Sequence, residues 1–446
     1  MADIGLRQDE AFLRRAFHKS LLPCVLSILS QNINILADGI IVGQRIGTDG
    51  LSAINLCVPV YLVLCIVGSF LVSGTAIQAS RAIGRRQTEQ SRKLYNTAVW
   101  SCVAAGLAVT AAGLVLCAPI SALLCPDETV RPLVMEYNLV TLIGALPKIL
   151  IYVPFWFLRM DGRARLVVWM MLIMGGGNVV LDLVFLYPLG MGIGGAAWAT
   201  VLAQLLSAAA SLVYLRLRHP LLLFRRADMV IDRALLSRTV RFGAVAALHQ
   251  SSVYIGKLLV QGAVNTLGAE AINAYTAATR IEGFANSFGD SGAAAEAVFI
   301  GQNVGGDRPD RVRRGFFIGL RLMVGLGLAM AAVMFIWAEP LSRLVLPDSN
   351  AAELAESVRY LRLVSLFYVL CFIGSLFVGY FEGIGRISIP TIGSAAHLSL
   401  RVVLAWLLVG RMGLAGVALA TGLGWCLVVS FQLGVYRGVI LKRRQA

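Results

Sequence analysis

Twelve stretches of about twenty apolar residues, each nearly free of charge, follow one another along the chain. They begin near residues 20, 51, 94, 132, 167, 193, 242, 272, 315, 357, 387 and 413. Coiled as helices at about 1.5 Å per residue, runs of that length match the hydrocarbon thickness of a bilayer. They are continuous rather than alternating, which excludes the short dyad-patterned strands of an outer-membrane barrel. The pattern therefore predicts an all-α polytopic membrane protein of twelve transmembrane helices. Composition agrees, with 58% apolar and 14% charged residues over 446 positions and a mean hydropathy of +0.77, against about 25% charge in a soluble globular chain. A disordered chain is excluded by the same figures. The eight cysteines lie mostly inside apolar runs and read as small buried residues rather than a disulfide scaffold. The first apolar stretch outruns signal-peptide length and carries Asp38 at its far end, so it reads as a retained span.

Charge adds the orientation. Most of the 39 Lys and Arg fall in alternate loops: Arg7 to Lys19, Arg81 to Lys93, Arg159 to Arg165, Arg216 to Arg241, Arg308 to Arg314, Arg386, and Arg437 to Arg444. The opposite loops hold Arg45, Arg131, Arg343 and Arg411 and the acidic turn Pro126-Asp127-Glu128. An excess of Lys and Arg marks the cytoplasmic side, so both termini are expected there, in a multi-pass protein of a bacterial inner membrane. The formal net charge of +15 thus lines one membrane face, where lipid headgroups attract it, and implies no nucleic-acid partner.

The chain also resembles itself. At an offset of 221 residues Ile46-Gly47 falls on Leu267-Gly268, IQASRAIG from Ile77 on VFIGQNVG from Val298, Met191-Gly192 on Met412-Gly413, and Ala199-Thr200 on Ala420-Thr421. Each half holds six predicted spans, an even number, so the halves are parallel repeats, pseudo-symmetric six-helix lobes of the sort that support alternating access. The lobes are expected at 1–220 and 242–446, joined by a cytoplasmic linker at 221–241.

Polar groups inside the spans carry the functional reading, because ionisable side chains in a membrane are costly. Gln31, Asn34 and Asp38 share one face of span one. Asn178 and Asp182 share a face of span five, after Gly175-Gly176-Gly177, expected to loosen that helix. Thr200, Gln204 and Ser207 share a face of span six. Such oxygen and amide groups suit a hard cation or a shared proton, and two carboxylates buried together cannot easily both stay ionised. The plainer alternative has these acids capping or bridging helices.

The second half differs. Leu259 stands at the repeat position of Asp38, amid Gln250, Tyr254, Lys257 and Gln261, and span eleven carries His397 and Arg401. Glu282, Asn286 and Asp290 share a face of span eight, with Arg280 before them and Glu296 beyond. Internal pairing with Lys257 or Arg401 and a role in substrate binding are equally open for these acids. Lys148, Tyr152 and Trp156 line the substrate cleft on one reading; on the other, Lys148 snorkels at a span end. Trp169, Met170, Met171 and Met174 suit an adaptable binding wall or ordinary helix packing. No Walker lysine loop is present, so the energy source is not ATP, and no nucleophile and base pair marks an enzyme.

The run ADGIIVGQRIGTDGLSAINL from Ala37, the loop ASRAIGRR from Ala79 and its counterpart IGQNVGGDRPDRVRRG from Ile300 resemble the multidrug and toxic compound extrusion family over essentially the whole chain. The resemblance implies a cation-driven antiporter that exports organic, often cationic compounds and works as a monomer with no cofactor beyond a coupling proton or sodium ion. It maps a cation site onto Asp38, Asn178, Asp182 and Thr200, which would also be the sodium ligands, and a gating proline onto Pro23. The substrate cleft is expected among Gln31, Asn34, Tyr152, Trp156, Met174, Gln204, Tyr254, Lys257, Glu282, Asp290 and Arg401. Around Gln250 and Ser251 the chain lacks the acid that sodium-driven relatives carry in helix seven, which favours the first-lobe site and a proton. The alternative is a lipid-linked glycan flippase of the same broad superfamily, whose anionic cargo would suit Lys257, Arg280 and Arg401.

Overall fold

The computed structural model describes residues 25, 26, 30, 34, 37, 38, 40–125, 128–160, 164–218, 233–346 and 350–445. Gln31 and Pro23 lie outside them, as do 221–232 of the expected linker; its remainder, 233–241, is helical. After helical residues 40–46, fifteen helices follow: α1 Thr48–Gly84, α2 Thr88–Leu124, α3 Arg131–Ile143, α4 Ala145–Leu150, α5 Tyr152–Met160, α6 Ala164–Leu186, α7 Gly192–Arg218, α8 Arg233–Asn265, α9 Ala269–Gly305, α10 Pro309–Ile336, α11 Ala338–Val345, α12 Ala351–Ser365, α13 Tyr368–Gly383, α14 Ser388–Met412 and α15 Leu414–Gln445. No strand occurs among the described residues, as expected where lipid offers the backbone no hydrogen-bond partner.

Seven helices, α1, α2, α6, α7, α10, α14 and α15, are long and apolar enough to cross a membrane. Two further spans are broken: Arg131–Ile143 and Ala145–Leu158 meet at 56°, and Ala351–Ser365 and Tyr368–Gly383 at 54°. That makes nine of the twelve expected spans. Of the other three, span one is described only in part. Spans seven and eight are the 33-residue α8 and 37-residue α9, long enough to cross but too rich in polar groups to qualify on composition.

The internal repeat is visible in the backbone. Arg86 (φ 59°) and Asp307 (φ 51°) lie 221 positions apart, and both take a left-handed turn before the next helix. At the same offset Gly47 (φ 88°) matches Gly268 (φ 93°), and Gly192 (φ 62°) matches Gly413 (φ 59°). These are conformations that L side chains rarely adopt, and both halves spend them at the same junctions.

The two broken spans also correspond, with their packing inverted. At the first break a Cβ on Gly144 would run into the Val201 side chain of α7; at the second, a Cβ on Gly422 of α15 would run into the Phe367 ring. Val201 and Gly422 are repeat equivalents, so the knob on the crossing helix of one half becomes the hole in the other. Pro147, just past the first break, withholds a backbone N–H and favours the bend there.

The chain divides into two compact units, Leu22–Ala247 and Leu248–Ala446. The second has an aromatic core in which Tyr360, Tyr368, Phe316, Phe372 and Phe381 are almost wholly buried; Phe316 packs on Tyr380 at 5.0 Å and on Tyr436 at 4.7 Å between ring centroids. The first buries Leu64, Leu94, Ile149 and Phe157, with Phe157 packed edge-on to Tyr95 at 5.2 Å between ring centroids. All seven described cysteines are unbonded.

Lys148 departs from the snorkelling expectation. It is 7% exposed, because it sits in the short α4 at the break of span four instead of at a span end, and its Nζ lies 3.7 Å from the centroid of the Tyr61 ring. A buried ammonium held by a ring face gains about 2 kcal/mol. Tyr61→Leu should therefore lower stability by about that amount, and adding Lys148→Met should restore it. Thermal unfolding of the two variants in detergent checks this; equal midpoints for Tyr61→Leu and the parent protein would refute it.

Candidate functional site

The polar residues singled out in the first half converge. Asp182 is wholly buried and Asn178 is 2% exposed, both on α6. Asp38 is half-buried, and its carboxyl comes within hydrogen-bonding range of Asp182. No N–H or O–H among the described residues reaches either Asp182 oxygen or Asp38 Oδ1. Two carboxylates have no hydrogen to offer one another, so a pair of this kind is suited to taking up a proton. Asn178 Nδ2 donates to Thr200 Oγ1 of α7 at 3.3 Å, which leaves the Thr200 hydroxyl its own hydrogen to give.

The helical register explains how three elements build one site. Val42, Leu186 and Ala196 form an apolar cluster, each at most 1% exposed. Asp38, Asp182 and Thr200 each lie one turn, four residues, from a member of that cluster on the same helix face. Asn34, Asn178 and Gln204 lie one turn further. The site is thus layered: an apolar plug, then the carboxyl pair with a hydroxyl, then three amides. Arg45 pins the plugged end, with Nε donating to the Leu186 carbonyl at 3.1 Å and the guanidinium 5.6 Å from the Tyr187 ring centroid.

The glycine triplet has a different role from the one expected. α6 runs unbroken through Gly175, Gly176 and Gly177, so the helix is not loosened. Gly175 faces span one instead, where a Cβ would sit in ordinary van der Waals contact, 3.4 Å from Asn34 Cβ. Asn34 Oδ1 is buried without a partner among the described residues. Tyr137 of α3 lies near enough to feel the charge of both Asp38 and Asp182. Sequence reasoning missed it and the plug; a lone tyrosine in an apolar span was the available signal.

Other candidates scatter. Gln204 is 5% exposed, and Ser207 of the same stripe is fully buried, its Oγ donating to the Met170 carbonyl at 2.8 Å. Tyr152 packs its ring on Gly68, where a Cβ would meet Cδ2 at 2.6 Å. Trp156 Nε1 is buried without a partner. Met170 and Met171 are buried, Met174 is half-buried and Trp169 points outward at 63% exposure. These adjacent positions face different ways and form no single wall.

In the second half, Glu282, Asn286 and Asp290 of α9, Tyr254 and Lys257 of α8, and Arg401 of α14 belong to the unit Leu248–Ala446. Arg401 closes no ion pair among the described residues; its Nη2 donates to the Tyr275 hydroxyl at 3.3 Å. Among the described residues Arg401 thus forms no direct ion pair with the nearby acids, although it lies close enough to Glu282 for each to feel the other's charge. Arg280 is exposed, away from that cluster.

A membrane-spanning, twice-repeated helical fold with a buried polar site in its first half defines a transporter architecture. A family profile described as MatE matches residues 23–184 and again 246–407, and the chain belongs to that family. The protein "Probable multidrug resistance protein YoeA" of Bacillus subtilis is 24% identical over 361 residues, covering 79% of this chain and 77% of that one. The "FAD transporter" of Shewanella oneidensis is 25% identical over 338 residues, 74% of each chain. A solved structure described as MATE in complex with MaL6 superposes with a TM-score of 0.91 at 25% identity, covering 97% of each chain.

Proposed function

We propose that the protein is a multidrug efflux antiporter that exports organic, often cationic compounds by alternating access and is driven by protons at the Asp38 and Asp182 pair. It acts as a transporter and not an enzyme, as a monomer in a bacterial inner membrane with both termini cytoplasmic, and it needs neither ATP nor a cofactor. The observation that supports the reading is Asp182, wholly buried beside the half-buried Asp38 with no donor to its carboxyl among the described residues, one turn from the apolar cluster of Val42, Leu186 and Ala196. Names of relatives for multidrug resistance support the cargo class.

In this mechanism a proton from outside reaches the pair past the plug and neutralises it. The charge that kept the first lobe hydrated and bound to cargo is lost, cargo leaves outward, and the emptied protein turns inward. A ligand shifts such an equilibrium only by its differential affinity for the two states, so cargo and proton must compete. A proton is favoured over sodium because two neighbouring carboxyls in a buried site cannot easily both stay ionised and can share one proton. Everted vesicles with a respiration-generated proton gradient provide the test: a cationic dye should collapse the gradient without sodium, and a strict sodium requirement would overturn the proton assignment.

Thr200→Val keeps the shape and removes the hydroxyl. Losing the hydrogen bond accepted from Asn178 costs about 0.5–1.5 kcal/mol, so coupled dye efflux should fall by up to about tenfold, by the equivalence of 1.4 kcal/mol to a decade. Rescue by Thr200→Ser should follow, and full activity of the valine variant would remove Thr200 from the site.

A further inference from the structure

The unit Leu248–Ala446 encloses a second polar cluster whose donors outnumber its acceptors. Arg401 is 8% exposed and carries five N–H donors. Its one hydrogen bond among the described residues goes to a neutral tyrosine hydroxyl, and its Nε has no acceptor. Tyr360, wholly buried beside Arg401 and Glu282, is a neutral neighbour and supplies no counter-charge. Against these stands one unfilled acceptor, Oε1 of Glu282, which is 7% exposed. Glu282 balances Arg401 through space without closing an ion pair on it. A guanidinium left in this state is costly, and its planar fork matches an oxyanion in bidentate fashion.

The cluster can be reached. Glu282, Asn286 and Asp290 follow one face of α9 at four-residue steps, from buried through half-buried to exposed. Lys257 is exposed and interacts with both acids. A Cβ on Gly283 would meet nothing within 4 Å. The Tyr368 hydroxyl fixes the wall, 3.0 Å from the Glu282 carbonyl oxygen and 2.9 Å from Asn286 Oδ1. A polar track therefore leads from Lys257 and Asp290 inward to Arg401.

We propose that Arg401 binds an oxyanion group of organic cargo, phosphate or carboxylate, with Lys257 as the second cation of the track and Glu282 as the internal counter-charge that the oxyanion competes with. The inference rests on the transporter reading and adds anionic or zwitterionic compounds to its substrates.

Binding is measured on the full chain in lipid nanodiscs with two fluorescent probes that share a ring system, FAD and riboflavin, and two competitors, inorganic pyrophosphate and succinate. FAD should bind more tightly than riboflavin by a factor on the order of ten. Arg401→Gln should abolish that preference. Glu282→Gln should tighten FAD binding about tenfold by removing a nearby like charge, a gain that a misfolded variant cannot mimic. Competition by pyrophosphate assigns the group as phosphate, and competition by succinate as carboxylate. Equal binding of the two probes to the parent protein, failure of both competitors, or weakened FAD binding in Glu282→Gln would overturn the proposal; the last would show that Glu282 grips a cation. Coupling is read separately, from dye-dependent collapse of the proton gradient in everted vesicles, so failure of the proton-coupling reading and failure of this one give different results.

Discussion

Asp38→Asn should abolish proton-coupled dye efflux while leaving expression and thermal stability close to those of the parent protein. Asparagine has nearly the shape of aspartate but takes up no proton and carries no charge. The pair then loses the contact between Asp38 and Asp182, and Asp182, wholly buried without a donor, is left as the lone acid. A carboxylate and a cationic cargo about 4 Å apart would interact by about 4 kcal/mol at an effective dielectric constant of 20. Even half of that, at 1.4 kcal/mol per decade, puts the loss at roughly thirtyfold or more. Asp182→Asn should fail equally, and the double variant should be no worse than either single one, because the two groups act as one unit. Dye-dependent collapse of the gradient in everted vesicles gives the readout. Undiminished coupling in either single variant would remove the pair from the mechanism.

The elements and most of this site could be read from the sequence because both rest on local rules. Apolar run length marks the spans, and four-residue spacing alone puts Asn178 beside Asp182 and Thr200 beside Gln204. What joins one helix to another was less accessible. That Asn34 fits against Gly175, or that Val42, Leu186 and Ala196 close over the carboxyls, depends on packing between segments more than a hundred residues apart in sequence. The breaks in spans four and ten were invisible to hydropathy, which registers length and not direction. Spans seven and eight were found from the sequence although Lys257, Glu282, Asp290 and Glu296 lower their apolar character; the helices there run to 33 and 37 residues.

The second half shows the same limit. Charge pattern alone placed Arg401, Glu282 and Lys257 in one region and left open an internal ion pair. The structure gives Arg401 a tyrosine instead, from a residue 126 positions away. Tyr275, Tyr360 and Tyr368 had no signature in the sequence beyond being aromatic residues in apolar spans, yet they line the cluster.

Gly379→Val should prevent the second unit from folding. Gly379 and Gly383, one turn apart on α13, press directly on α9: a Cβ on Gly379 would collide with the Ala293 carbonyl, and one on Gly383 would lie 2.7 Å from Ile300 Cβ. Small residues at four-residue spacing let helices approach this closely in a membrane, where packing rather than water exclusion holds them together. The obstacle at Gly379 is backbone, which cannot swing aside as a side chain does. Forcing the helices apart would also separate Tyr368 from Glu282 and Asn286. Overpacking alone costs about 1–3 kcal/mol and each strained hydrogen bond about 1 kcal/mol more, together a large part of the 5–15 kcal/mol that stabilises a typical fold. Size-exclusion chromatography in detergent should show aggregated or degraded protein. Gly283→Ala, also on α9 but facing open space, should behave like the parent protein, since helix propensity there favours alanine by up to about 1 kcal/mol. A monodisperse Gly379→Val variant with an unchanged melting temperature would mean that α9 and α13 do not pack as closely as the structure shows.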